Sequence, residues 1–313
     1  MLSIYNTDLT TNKFEKIKEF KPGSWISLVN PTEDEIKTVC SNLKIEDEFI
    51  KYPLDYEEQA RIDIEDDMTL FVIDVPVIEE AKEGKTYSTM PLGLIVVRDD
   101  FFITVSLKKN RIIDSFEKER IKGMCTYKKT RFILQILYLN ASYYLTDLKK
   151  INKEAENTVN DLKKTMKNED LMQLLNLENS LVYITTSLKA NELVMEKTAR
   201  GKILKSYEED DEILEDAIIE NRQAIEMSKV YSEVLNGTMD AYASIISNNL
   251  NVVMKFLASI TIVLSLPTLI ASIWGMNVPL PFATNPYGFG IVCGISVLLS
   301  VIAFVWLKKK DML

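Results

Sequence analysis

The residues best placed for chemistry lie between positions 240 and 272. Asp240, Ser244, Ser247, Asn251, Met254, Leu257, Thr261, Ser265, Thr268 and Ser272 follow one another at steps of three or four, close to the ~3.5 spacing of a helix face that meets other helices. One stripe therefore holds a carboxylate, an amide and several hydroxyls, with Met254 and Leu257 as its large apolar members. Hydroxyls turned toward hydrocarbon are wasted, whereas turned toward other copies of the same helix they line a wet axis. Such hydroxyls equally suit a helix that bonds them back to the i−4 carbonyl or packs closely through small side chains, so spacing alone leaves both readings open.

Most other chemistries are excluded by composition. The chain of 313 residues contains no histidine, which removes an imidazole base, a Ser/His/Asp or Cys/His nucleophile and a His-containing zinc site. Its 3 cysteines, Cys40, Cys125 and Cys293, are odd in number and far apart, which fits a reducing compartment rather than a disulfide framework or a C-x-x-C pair. With 37 basic against 46 acidic side chains the net charge is −9, and a sequence pI near 4.9 offers no counter-charge for nucleic acid. Neither a P-loop nor a G-x-G-x-x-G turn is present, so a nucleotide enzyme has no footing and no organic cofactor is expected.

The elements that must hold the stripe follow from where the charges stop. Residues 256–307 contain no Asp, Glu, Lys or Arg. This stretch divides into apolar runs 256–274 and 287–307, each about the 20 residues a helix needs to cross a ~30 Å hydrocarbon layer. Pro and Gly residues mark the connection between them. Lys255 precedes the first run, Lys308, Lys309 and Lys310 follow the second, and the connection carries no positive charge, so both termini are expected in the cytoplasm of a multi-pass protein of the cell membrane. The opening MLSIYNTDLTTNKFEK has no apolar core and does not read as a secretory signal.

Upstream, the first part of the chain reads as mixed α/β. WISLV (Trp25–Val29), LFVIDV (70–75), LGLIVV (92–97) and FFITVS (Phe101–Ser106) are rich in β-branched and aromatic residues, and Arg98-Asp99-Asp100 predicts a tight hairpin turn. Thr32 followed by Glu35 predicts a helix start with a capping box. After Tyr127 strand signals stop, and three long helices are expected over about 130–166, 170–200 and 210–273, with breaks near Lys167-Asn168-Glu169-Asp170 and in residues 200–211. Only Gly237 interrupts the third before its apolar run, and at 1.5 Å per residue a helix of about 60 residues is roughly 90 Å long, a stalk that needs neighbours to cover its apolar face. The expected divisions are 1–127 (α/β), 128–250 (helical, with the stalk), 251–274 (first span), 275–286 (outer loop), 287–307 (second span) and 308–313 (basic tail).

The junction after the first span carries a family resemblance. Trp274-Gly275-Met276-Asn277, followed by Val278-Pro279-Leu280-Pro281, resembles the Gly-Met-Asn signature of the CorA family of magnesium and divalent-cation channels, which closes the first of two C-terminal spans. Asn251-Val252-Val253-Met254-Lys255 at the membrane entry, the lysines 308–310 and the layout of the whole chain are similar too. The resemblance implies an α/β cytosolic funnel domain, a long α-helical stalk and two transmembrane helices in a CorA-like homopentamer within a lipid bilayer. It implies a ring of Asn277 side chains at the outer mouth, where an amide hydrogen-bonds the hydration shell that Mg²⁺ sheds reluctantly. It places Gly275 at the turn with Met276 packed behind it, Met254 and Leu257 at an apolar constriction, Asn251 and Asp240 in polar and acidic rings below, and Lys308, Lys309 and Lys310 in a basic collar, for which a positive-inside anchor also suffices.

Gating in the family depends on cytosolic Mg²⁺ held between subunits, and the resemblance gives Asp216 as one regulatory metal residue and Asp55 as a candidate partner. Glu209, Asp210, Asp211, Glu212 and Glu215 stand near Asp216, so a solvated acidic helix face is the other reading. Many relatives carry a glutamate shortly after the signature, whereas 278–286 has no acid here, which removes that extra cation attraction. Three functions stay open: a passive Mg²⁺ channel gated by Mg²⁺ that also passes Co²⁺ or Ni²⁺; a zinc transporter of the same superfamily, in which the middle signature residue commonly differs; and a non-conducting membrane sensor or scaffold, which has no use for the polar stripe.

Overall fold

The structure is a computed structural model and describes residues 1–65, 67–81, 84–165, 167–201, 203–204, 208–277 and 286–310. The Val278-Pro279-Leu280-Pro281 extension of the signature, the acid-free loop up to residue 285 and tail residues 311–313 lie outside the described residues.

In chain order the elements are β1 (Leu2–Thr7), β2 (Phe14–Ile17), β3 (Trp25–Val29), α1 (Glu33–Leu43), α2 (Glu48–Lys51), a 3-10 turn (Tyr52–Leu54), β4 (Arg61–Glu65), β5 (Met68–Ala81), β6 (Gly84–Val97), β7 (Phe101–Ser106), α3 (Arg111–Glu117), α4 (Lys129–Thr165), α5 (Asn168–Gly201), α6 (Glu208–Trp274) and α7 (Gly288–Lys309). They form two compact units, Met1–Asn236 and Gly237–Leu313. The sequence division at Tyr127 marks the end of the strands, but the first unit continues to Asn236 because α4, α5 and the start of α6 supply the helical cover of the sheet.

Seven strands run in the order β2-β1-β3-β7-β6-β5-β4. Among the described residues only β3 and β7 pair in parallel, Trp25 opposite Phe102, and every other neighbour is antiparallel. Alternating side chains give the sheet two covered faces. On one face Trp25, Phe71, Leu92 and Phe102 meet Phe116 of α3, Phe132 and Ile136 of α4, Val194 of α5 and Ala217 of α6. On the other, Ile26, Val72, Ile95 and Val105 meet Ile36 and Val39 of α1 and Phe49 and Ile50 of α2. Pairs such as Phe116 and Phe132, stacked with centroids 4.5 Å apart, anchor the first core.

Several local expectations are met. Arg98 and Asp99 take φ of 49° and 53°, and the Asp100 N–H donates back to the Val97 carbonyl at 2.8 Å, closing the β6–β7 hairpin. Thr32 caps α1 in a full capping box with Glu35. The Glu35 carboxylate also accepts from the terminal amine of Met1 at 2.8 Å and the Leu2 N–H at 2.9 Å, so the helix cap pins the start of β1. Other expectations fall short: β1, β2 and β4 carried no recognised strand signal, and β5 and β6 are 14 residues each, longer than their apolar runs. The long helices match, and α6 spans 67 residues.

Candidate functional site

All ten stripe residues, from Asp240 to Ser272, lie on α6 and are exposed in the single chain. The more covered residues of the apolar part, Ser259, Ile260, Val263, Leu266, Pro267, Ile270 and Trp274, lie along another face. At ~100° per residue, Thr261, Ser265, Thr268 and Ser272 sit about 200° round the helix from that face. The covered side belongs to the helical hairpin: Pro267, Ala271, Trp274 and Gly275 of α6 share an apolar cavity of about 450 Å³ with Phe289, Val292, Cys293, Ser296 and Val297 of α7. The polar side carries a groove of about 640 Å³ lined by Thr261, Ser265, Thr268 and Ser272 with Leu264, Leu269 and Ile273. Two helices, within Asp210–Trp274 and over Gly288–Lys309, are long and apolar enough to cross a membrane.

Within one chain the hydroxyls bond back along the helix. Ser244, Thr261, Ser265 and Thr268 each donate to the i−4 carbonyl, at 3.0, 2.8, 2.5 and 3.2 Å. Their protons are thus spent within the helix, and what they present outward is oxygen lone pairs. A surface of hydroxyl oxygens and the Asn251 amide suits a cation or its water shell better than an anion.

At the end of α6, the Gly275 N–H donates to the carbonyls of Ala271 at 2.9 Å and Ser272 at 3.3 Å, and the Met276 N–H to that of Ile273 at 3.3 Å. These bonds satisfy carbonyls that a helix end leaves open. Gly275 is not in the left-handed region, contrary to a turn made by glycine freedom. Its lack of a Cβ matters as a close approach instead, since a Cβ there would stand 3.3 Å from the Ala271 oxygen. Met276 does not pack behind this turn within one chain: it is 56 % exposed, because none of the described residues covers the tip of α6. Asn277 is exposed beside it. At the far end of α7, Lys308 and Lys309 occupy the last turn and Lys310 caps it, where positive charge also favours the helix dipole.

The two regulatory candidates both lie in the first unit. Asp216 is exposed on α6, next to Ala217, which is buried against the first core. Asp55 ends the 3-10 turn, is exposed, and accepts the Glu57 N–H at 3.0 Å. Glu58 is engaged by Arg61, which also pairs with Asp63 at 2.6 Å and lies 5.0 Å over the Tyr52 ring. Among the described residues no three His, Cys, Asp or Glu side chains come together to hold a metal. Asp216 and Asp55 therefore join no such cluster among the described residues of one chain. Asp210, in the first turn of α6, is committed elsewhere, to Arg131 of α4 at 3.0 Å.

A model of the family described as CorA-like Mg²⁺ transporter protein matches residues 21–309. The chain belongs to the CorA family. A curated relative, the cobalt/magnesium transport protein CorA of Methanocaldococcus jannaschii, is 29 % identical over 297 residues, 92 % of this chain and 90 % of the relative. The complete structure of the CorA magnesium transporter from the same organism superposes with a TM-score of 0.86 at 25 % identity, covering 99 % of this chain and 97 % of that one. The ZntB cytoplasmic domain from Vibrio parahaemolyticus shares the fold alone, at 12 % identity and a TM-score of 0.58 over 79 % of this chain and 98 % of that domain. CorA membership makes the chain a divalent-cation transporter and not an enzyme.

Sequence reasoning missed the residues that hold the helices to the sheet. β4 begins at Arg61, opposite Val72 of β5, so the Asp74 main chain lies past its end. Asn191 of α5 accepts the Asp74 N–H and donates to the Asp74 carbonyl, both at 2.8 Å, and Asn140 and Tyr144 of α4 donate to the same carbonyl at 2.8 and 3.1 Å. Burial pushes the Asp74 carboxyl above its ordinary range, and a hydrogen bond from Ser187 only partly offsets this. Asparagines within a helical pattern were the available signal.

Proposed function

We propose that the protein is a passive Mg²⁺ channel of the cell membrane, a homopentamer whose axis is lined by the polar stripe of α6. The observation that carries this reading is the continuous exposed row from Asp240 to Ser272, turned about 200° from the covered face of its own helical hairpin and ending beside Asn277. Water would meet the outward lone pairs of so polar a row in so apolar a segment, and five copies around an axis supply a place for it. The cobalt/magnesium and magnesium descriptions of CorA from Methanocaldococcus jannaschii support the cargo.

In this reading Asn277 forms the outer ring that holds hydrated Mg²⁺, and outward-facing lone pairs of Thr261, Ser265, Thr268 and Ser272 accept from its water shell. Met254 and Leu257 form the constriction that closes by excluding water, Asn251 and Asp240 the polar and acidic rings beneath it, and Lys255 with Lys308–Lys310 mark the cytoplasmic side, so both termini are cytoplasmic. Entry is driven by the membrane potential, about 2.3 kcal/mol per charge per 100 mV. Recognition through a hydration shell also admits Co²⁺ and Ni²⁺. Asp216 and Asp55 of neighbouring subunits bind regulatory Mg²⁺; without it their carboxylates repel and loosen the closed ring.

Reconstitution in liposomes containing a Mg²⁺ indicator tests the proposal. Wild-type influx under an inward gradient should collapse in an Asn277→Ala variant that keeps its oligomeric state. Absence of wild-type influx after removal of Mg²⁺ from the cytoplasmic side refutes the magnesium reading; zinc flux in its place points to a zinc transporter, and no flux at all to a sensor or scaffold.

A further inference from the structure

The turn that ends at Asp55 is seated in a notch of the sheet. Gly93 lies between Val72 of β5 and Val105 of β7 in register, on the sheet face that packs against α1, α2 and the 3-10 turn. Facing it is Pro53, buried at the centre of Tyr52–Leu54. A Cβ on Gly93 would stand 2.2 Å from the Pro53 Cγ and 2.8 Å from its Cβ, far inside contact distance, and both are atoms of a ring fused to the backbone. Pro53 therefore cannot yield by rotating a side chain; the turn itself must move. Two residues on stands Asp55, whose N–H donates to the Tyr52 carbonyl at 3.1 Å and whose carbonyl accepts the Glu58 N–H at 3.3 Å. The remainder of the segment is clamped by Arg61 to Glu58, to Asp63 and over the Tyr52 ring. Pushing Pro53 away from the sheet thus carries Asp55 with it.

We infer that Gly93 is a positioning residue for the regulatory cation: the gap it leaves between Val72 and Val105 seats Pro53 and so fixes where the Asp55 carboxylate is presented. Glycine in a strand interior otherwise weakens the strand, and here its vacancy is filled by another segment's backbone ring. The inference rests on the proposal that Asp55 binds regulatory Mg²⁺.

The test measures, for the full-length protein in liposomes, the cytoplasmic-side Mg²⁺ concentration that half-closes influx, in wild type, Asp55→Asn, Gly93→Ala and the double variant. Asp55→Asn and Gly93→Ala should each raise that concentration about tenfold, the scale expected for a residue that holds or orients a metal ligand, and the double variant should go no further than Asp55→Asn. Merely loosened packing would lower the unfolding temperature without this saturation. If Gly93→Ala does not assemble, Pro53→Ala, which slackens the same seat without a clash, should shift closure in the same direction. A shift in Asp55→Asn with wild-type behaviour in the Gly93 or Pro53 variant overturns the positioning role and leaves Asp55 in place. Additive shifts, or a Gly93 shift with none in Asp55→Asn, show that Gly93 acts elsewhere and also overturn it. No shift in any variant removes Asp55 from regulation and the inference with it.

Discussion

Replacing Asn191 by alanine should destabilise the first unit more than any surface change on α5. The Asn191 side chain is fully buried and is the partner of the Asp74 N–H, while its amide nitrogen gives one of three donors to the Asp74 carbonyl. Truncation leaves that carbonyl with Asn140 and Tyr144 but strands the N–H, beyond the end of β4. An unsatisfied buried amide costs about 1–3 kcal/mol, and the small cavity left beside it adds about 1 kcal/mol. A loss of roughly 2–4 kcal/mol is therefore expected. Thr186→Ala is the control: Thr186 is exposed and its hydroxyl merely bonds back to the Val182 carbonyl at 2.9 Å, so the change should stay within about 0.5 kcal/mol. Urea unfolding of the full-length protein in detergent, followed by far-ultraviolet circular dichroism, gives the difference from the shift in midpoint at unchanged slope. A loss below about 1 kcal/mol for Asn191→Ala would refute the reasoning, because it would mean that water enters and satisfies Asp74 as well as the asparagine does.

Three further outcomes are expected. Asp74→Asn should raise the unfolding temperature at neutral pH: the folded carboxyl is shifted upward by burial, so its ionised form costs stability that appears as pH rises through the folded value, and the gain should vanish on acidification below the ordinary carboxylate range; equal gains at acid and neutral pH would contradict this. Thr32→Ala should cost about 1 kcal/mol by removing the cap of α1, read from the same urea curves, and a neutral effect would mean that Glu35 and the Met1 amine hold the helix start alone. On the proposed pore, Leu257→Asn should hydrate the constriction and raise influx at closing Mg²⁺ concentrations roughly severalfold, and unchanged closure would remove Leu257 from the gate.

The parts of this molecule that were legible in the sequence are those fixed by a long period or by the absence of charge. The two spans, the 67-residue α6 and the stripe needed only counting, because a helix repeats its face over many turns. The β6–β7 hairpin and the cap of α1 were legible because turn and cap chemistry is local. β2 (FEKI) and β4 (RIDIE) were not, since each is an edge strand with two apolar residues at most, and alternation over so short a length is indistinguishable from a polar loop. The length of β5 and β6 was hidden for a related reason. Pro76 and Pro91 lie inside them, and proline ordinarily argues against a strand interior; what makes them tolerable is that β4 reaches only to Val72 and β7 ends at Ser106 opposite Leu92, so no ladder bond is lost on those sides.

The same division runs through the candidate site. Met254 and Leu257 are 58 % and 53 % exposed, Thr261 to Ser272 stand open along a groove, and Asp216 and Asp55 belong to no metal cluster among the described residues. An isolated chain leaves most of the membrane-length part of α6 uncovered, and on one of its faces the uncovered residues are a large apolar pair together with a row of oxygens. Lipid would cover the pair but not the oxygens; water would cover the oxygens but not the pair. In the proposed pentamer, other copies of α6 around a wet axis would satisfy both, the apolar pair by closing on itself and the oxygens by holding water. Opening such a pore consequently need only wet the Met254–Leu257 level, since every other residue in the row is already matched to water. A polar residue at that level should therefore shift the balance toward conduction, whereas a larger apolar one, such as Leu257→Phe, should hold the pore shut even when Mg²⁺ is withdrawn from the cytoplasmic side; conduction by that variant at the wild-type rate would place the barrier elsewhere.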